Sequence, residues 1–219
     1  MKSKSFTLIE LLVVIVIIGI LAGVIMISTS SSITKANLAK AQAFSSTVQN
    51  ELLLNLVSEW TFDNIANIGE DTWANNDGII SGDPQIVNND CIFGKCLELD
   101  GDDYIDYSLN NNLRLTGSQT TSFWYKYNLL IDIAENRGFL GGCSFSSNIN
   151  CGHAVAANIN GSFYSDIYSG DPYGNHRSSI VVTVPKDINW HFIVSGYNTS
   201  TNLHFMYLDG IKYTRNPNF

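Results

Sequence analysis

From Leu11 to Ile27 the chain carries no polar side chain: LLVVIVIIGILAGVIMI. With Phe6–Glu10 added, the segment reaches 22 residues, about 33 Å of helix at ~1.5 Å per residue. That length crosses a hydrocarbon core about 30 Å thick. The charges ahead of it are Lys2 and Lys4, and a basic flank stays on the cytoplasmic side. The pattern therefore predicts a membrane-spanning helix over residues 6–27 with the remaining chain outside. Two simpler readings compete. A cleavable secretory signal has a shorter apolar region and a small-residue cleavage site, and no A-x-A pattern follows Ile27. A plain signal anchor leaves Glu10 unexplained, because a carboxylate near the membrane interior is costly unless it is paired.

The stretch Ser5-Phe6-Thr7-Leu8-Ile9-Glu10, leading into that apolar helix, resembles the prepilin N-terminus of type IV pilins and type II secretion pseudopilins. The resemblance covers residues 1–57. It implies that residues 1–5 are a leader, that a prepilin peptidase cuts between Ser5 and Phe6, and that Phe6 becomes the N-methylated terminus. It also implies that Glu10 pairs with the N-terminal amine of a neighbouring pilin or pseudopilin subunit, in a homo- or hetero-filament. Implied partners are thus the peptidase, other subunits and membrane lipid. The implied location is the cytoplasmic membrane before assembly and a surface or periplasmic filament afterwards. The family usually has Gly before the cut, where this chain has Ser5. Loss of Lys2 and Lys4 leaves 10 basic against 20 acidic side chains, so the exterior part is acidic.

Gly19 and Gly23 form a G-x-x-x-G. The spacing lets helices approach closely, although glycine is also simply common in membrane helices. Beyond the apolar run, Ser28–Ser32 weakens an isolated helix, since Ser and Thr compete for backbone groups. Residues 33–57 then lack Pro and Gly, and Ala41, Phe44, Val48 and Leu52 form an apolar stripe at helical period. These features predict one helix from Phe6 to Val57, softened at Ser28–Ser32, whose outer half packs on a globular domain.

Residues 58–219 change character. Gly, Asn, Asp and aromatic residues become frequent, and short β-like runs recur between turn signals: Ser58–Phe62, Gly78–Ile80, Cys96–Leu99, Tyr104–Tyr107, Thr120–Leu129, Phe139–Gly142, Ala154–Ala157, Ser162–Tyr168, Ser179–Val184, Trp190–Tyr197 and Leu203–Leu208. Many short strands predict an all-β sandwich, and the whole chain reads as α+β. The landmarks run Trp60-Thr61-Phe62-Asp63, Asn76-Asp77-Gly78, Gly94 to Gly101, Thr121 to Lys126, Trp190-His191-Phe192 and Tyr207-Leu208-Asp209-Gly210. Their order resembles the laminin-G-like domains of the concanavalin A-like lectin/glucanase superfamily. That resemblance implies a jelly roll with Trp124 and Phe192 as core aromatics and a lectin-like role in adhesion or glycan binding. Members of that family usually continue past the Asp-Gly hairpin with further strands, so a truncated sheet is an expectation here.

Candidate sites lie in this region. Cys91, Cys96, Cys143 and Cys151 are an even set outside the membrane, which favours disulfides. The simplest pairing is Cys91–Cys96 with Cys143–Cys151. Zinc is the alternative, but His153 alone beside Cys151 makes no second ligand pair. Asp100, Asp102, Asp103 and Asp106 crowd one turn region and would suit Ca²⁺, or would simply form solvated turns. The jelly-roll resemblance puts Asp63 and Asp77 forward as structural calcium ligands. Glu98 and Asp100 would share a strand face as a glycanase pair does, yet Gly101-Asp102-Asp103 continues as a turn, so a non-enzyme is expected. Tyr164, Tyr168 and Tyr173, near Asp166, Asp171 and His176, could form a sugar platform or be ordinary sandwich aromatics. With a formal charge of −8 and no basic block, a nucleic-acid partner is not expected.

Overall fold

A computed structural model describes residues 7–107, 111–113, 117–127, 137–141, 153–157, 162–168, 177–183 and 187–217. The first element, α1, runs Leu8–Leu52. Helical hydrogen bonding continues without a break through Ser28–Ser32, so the expected softening is absent from the backbone. Alanines at 36, 39, 41 and 43 favour helix where the membrane no longer imposes it. The helix ends at Leu52 and tightens into a short 3₁₀ turn, Leu53–Asn55, a little short of the expected Val57.

Among the described residues twelve strands follow: β1 Ile79–Ser81, β2 Gln85–Val87, β3 Cys96–Glu98, β4 Tyr104–Asp106, β5 Gln119–Tyr125, β6 Arg137–Gly141, β7 His153–Ala157, β8 Ser162–Tyr168, β9 Arg177–Thr183, β10 His191–Asn198, β11 Leu203–Leu208 and β12 Ile211–Arg215. Two four-stranded antiparallel sheets dominate, in the orders β12-β11-β10-β5 and β6-β7-β8-β9. Two smaller pairs, β1-β4 and β2-β3, complete the β-rich region.

The two large sheets pack face to face. Tyr125, Ile193, Met206 and Leu208 of one meet Val155, Phe163, Ile180 and Val182 of the other in a single buried cluster. The opposite face of the first sheet carries Trp124, Phe192, Val194, Phe205 and Tyr207, and α1 covers it with Ala41, Phe44 and Val48. The result is three layers: helix, sheet, sheet. Strict alternation explains it, since successive residues of β10 point to opposite faces. Phe192 and Val194 go to the helix, and Ile193 goes to the second sheet.

Two departures from the sequence reading stand out. Ser58–Phe62 is not a strand, and Phe62 takes a left-handed φ of 59°. Backbone in this segment is held by side chains instead of a ladder. The Asp71 carboxylate accepts N–H bonds from Glu59 (3.0 Å), Trp73 (3.0 Å), Ala74 (3.1 Å) and Asn76 (3.2 Å). Burial alone would raise the Asp71 pKa, but these donors outweigh it and hold the carboxyl down to about 2. Strands β2 and β12 were not foreseen. Strand β12 follows from Asp209-Gly210, which takes φ values of 50° and 79°, the geometry of a two-residue hairpin turn.

Candidate functional site

The N-terminus of α1 is built by its own sequence. Thr7 and Glu10 stand three apart, the spacing of a capping box. The Thr7 backbone N–H and Thr7 Oγ1 both donate to Glu10 Oε2 at 2.7 Å, and the Glu10 N–H donates to Thr7 Oγ1 at 3.3 Å. In the single chain Glu10 is thus satisfied locally, and it is exposed. From Leu8 to Ile25 the helix is long and apolar enough to cross a membrane, and none of that window is buried in the chain's own fold. Gly19 and Gly23 lie on this bare surface, where an added Cβ would meet nothing within 4 Å. Ser5 and Phe6 lie outside the described residues.

Residues 1–26 match the prokaryotic N-terminal methylation motif. No curated protein sequence matches the chain. The methylation motif and the exposed apolar helix coincide: the same residues that carry the processing signal form the segment the globular region leaves uncovered. This is the arrangement of a pilin-like precursor, anchored in a membrane before assembly.

The outer half of α1 is seated differently. Ala41 and Ser45 are each 1% exposed. Phe44 meets Phe192 edge-on at 6.0 Å and Tyr207 at 5.2 Å between ring centroids. Trp124 Nε1 donates to Ser45 Oγ at 3.2 Å. Ala41, Phe44 and Val48 of the predicted stripe therefore pack on the sheet, while Leu52 lies outside that cluster. Ser45, a polar residue between apolar positions, carried no signal in the sequence that it would be buried. The β11–β12 hairpin completes the seat. Asp209 Oδ1 accepts the Phe192 N–H at 2.9 Å, and its other oxygen meets His191 Nδ1 at 2.7 Å. Gly210 then sits beneath Phe44, where a Cβ would lie 3.5 Å from the ring. His191 also contacts Asp187 through Nε2 at 3.1 Å. Burial pushes the His191 pKa down, but the Asp209 and Asp187 carboxylates outweigh it and the net shift is upward.

The remaining sequence candidates separate. Cys91 and Cys96 form a disulfide with 5.7 Å between Cα atoms, while Cys143 and Cys151 lie outside the described residues. Asp63 Oδ1 accepts the Lys95 N–H at 2.8 Å. Asp77 accepts from Asp71 N at 2.9 Å and from Asn67 Nδ2 at 3.1 Å. These carboxylates serve separate loops. Among the described residues the carboxylates that converge are Asp83, Asp100 and Asp103, with oxygens within 4.8 Å of one another. Two of those belong to the expected acidic turn. Asp103 already accepts the backbone N–H groups of Asp83 (2.7 Å) and Asp100 (3.1 Å), which closes the turn without an ion. Glu98 ends β3 and Asp100 lies beyond it in the turn, so the expected shared strand face does not form. Tyr164 is half-buried on β8, on the face opposite Ser165. Asp166 shares that face but is 1% exposed and accepts a hydrogen bond from Ser179 Oγ. The Tyr168 side chain, Tyr173, Asp171 and His176 lie outside the described residues.

Proposed function

We propose that the chain is a type IV pilin-like or pseudopilin subunit. It is cut between Ser5 and Phe6 by a prepilin peptidase, N-methylated at Phe6, and built through α1 into a surface filament or secretion pseudopilus. The observation that carries this reading is the methylation motif on residues 1–26 overlapping a helical segment, Leu8–Ile25, none of which its own domain buries. An apolar surface of that extent has two solvents available to it, lipid and other helices of its kind. Glu10 releases its local cap and takes the free amine of a neighbour, so the chemistry is charge pairing in an apolar filament core and not turnover of a substrate.

In this reading the β-rich region is a laminin-G-like domain displayed outward for adhesion or glycan contact. Support comes from Trp124 and Phe192, which are cross-strand partners in the β5–β10 pair, and from the two packed antiparallel sheets. Tyr164, on the outer face of β8, is the described member of the tyrosine set read as a sugar platform.

The test is co-expression with a prepilin peptidase, followed by intact mass and N-terminal sequencing. A chain starting at N-methylated Phe6 is the expected result. A chain still starting at Met1, with Ser5 in place of the usual Gly blocking the cut, would overturn assembly. It would leave a membrane-tethered carbohydrate-binding module that does not polymerise.

A further inference from the structure

The interface between the two large sheets is not uniformly apolar. At one end, away from His191, a polar network fills it. His153 on β7, Ser165 on β8, Ser178 on β9, Ser195 on β10 and His204 on β11 are each at most 6% exposed. Ser165 is the hub. Its hydroxyl lies 2.8 Å from His204 Nε2, 3.2 Å from His153 Nε2 and 2.5 Å from Ser195 Oγ. His153 Nε2 also meets Ser195 Oγ at 2.8 Å, and Ser178 Oγ meets His204 Nδ1 at 3.0 Å. Residues from five strands, belonging to both sheets, are thus joined through hydroxyls and imidazoles alone.

Hydrogen-bond counting favours an uncharged His153. A neutral imidazole offers one donor and one acceptor, and a serine hydroxyl can serve either role. With His153 protonated on Nε2, every contact has a donor. His153 Nδ1 has no partner among the described residues. Adding a proton there creates a buried N–H with no acceptor, which costs more than a satisfied group. One oxygen touches both Nε2 atoms, so they stand within about 6 Å of each other, where two buried cations repel.

The charged groups around the network do not relieve this. Asp166 on β8 favours a cation at His153, but it points to the other face of its strand and is engaged by Ser179. Arg215 on β12, whose Nη1 donates to Ser179 O at 2.9 Å, disfavours one at His204. Tyr197 on β10 engages Asn202, and β5 contributes Thr121 to this face.

We infer that this Ser–His network is a proton-operated lock between the sheets: neutral, it holds β7–β9 against β10–β11, and mild acid parts them at that end. Burial first, then the neighbouring His204 charge, holds the His153 pKa near 4, and burial with Arg215 does the same for His204. Both values lie below the ordinary 6.5. The network's stability is therefore fully present above pH 6.5 and is lost as pH falls toward 4. His191 has the opposite sign. Its raised pKa stabilises the fold below 6.5 and fades as pH rises. Asp71 and Asp187, both lowered from 3.8, lose their contribution only below that value. Asp100, raised from 3.8 by its Asp102 and Asp103 neighbours, gains stability as it takes up its proton, so a loss of protection between pH 6.5 and 5 is the mark of His153 and His204.

The experiment is hydrogen exchange of the full chain in detergent micelles from pH 7.5 to 5, corrected for intrinsic exchange. Opening of β7–β9 should rise by up to about tenfold per histidine per pH unit, while β5 and α1 stay protected. The double variant His153→Gln, His204→Gln should remove that rise. Unchanged protection in the parent chain, or the same rise in the double variant, would overturn the lock. Should the double variant fail to fold at pH 7.5, NMR titration of both imidazoles in the parent chain decides. Protonation that coincides with loss of β7–β9 protection supports the lock, and protonation within a fully protected sandwich overturns it.

Discussion

The two halves of α1 are one continuous helix with opposite relations to the rest of the chain. None of Leu8–Ile25 is buried by its own fold, whereas Ala41, Phe44, Ser45 and Val48 pack against β10, β11 and β5. The difference lies in composition. The inner half is apolar on every side, so no single face can be selected for burial and an apolar environment must come from outside. The outer half is apolar on one stripe, which fixes the face that meets the sheet. One helix therefore couples two surroundings, and its rigidity ties the position of the β-rich region to whatever holds the inner half.

That comparison can be broken at several points. The largest effect is expected at Glu10. Glu10→Ala should reduce incorporation into filaments by tenfold or more, about 1.4 kcal/mol per decade, with membrane insertion intact. Fractionation of membrane and sheared-filament pools reads both, and normal incorporation would refute the assembly role. Next comes Phe44→Ala, which empties the seat above Phe192, Tyr207 and Gly210. A loss of about 3 kcal/mol is expected, visible as a lower urea midpoint for the β-rich region, with the membrane segment unaffected. A smaller effect is expected of Ser45→Ala. It leaves the Trp124 N–H without its acceptor at about 1 kcal/mol, and the Trp124 fluorescence should shift with it. A larger effect from Ser45 than from Phe44 would mean that the seat is held by its hydrogen bond and not by its aromatic packing.

Much of this was legible in the chain. The membrane helix and the 41-44-48 stripe follow from periodicity. Most strands fell where β-branched and aromatic runs end at Gly or Asp. The Thr7–Glu10 cap is also written locally as T-x-x-E, although the sequence reading spent Glu10 on a neighbouring subunit. What failed, failed for identifiable reasons. Ser58–Phe62 has strand-like residues, but Asp71, twelve residues from Glu59, captures the Glu59 N–H, and Phe62 takes a left-handed φ. The backbone N–H groups that Asp63 and Asp77 accept, from Lys95 and Asp71, were not foreseen, because a carboxylate's place in a turn does not name its partner. Strand β2 opens on the polar Gln85 directly after Gly82-Asp83-Pro84, residues that read as a turn.

The sequence by itself determined the motif at residues 1–26, the uncovered apolar helix, the α+β division and the Asp209-Gly210 turn, because each depends on residues a few positions apart. Only the tertiary structure decided that Ser45 lies beneath Trp124, that Asp209 clamps His191 on the face toward the second sheet, and that three serines and two histidines from five strands share one buried network. Those residues are separated by up to 79 positions, and a hydroxyl or an imidazole carries no periodic signal. Its burial is settled by which partner reaches it once the sheets have closed.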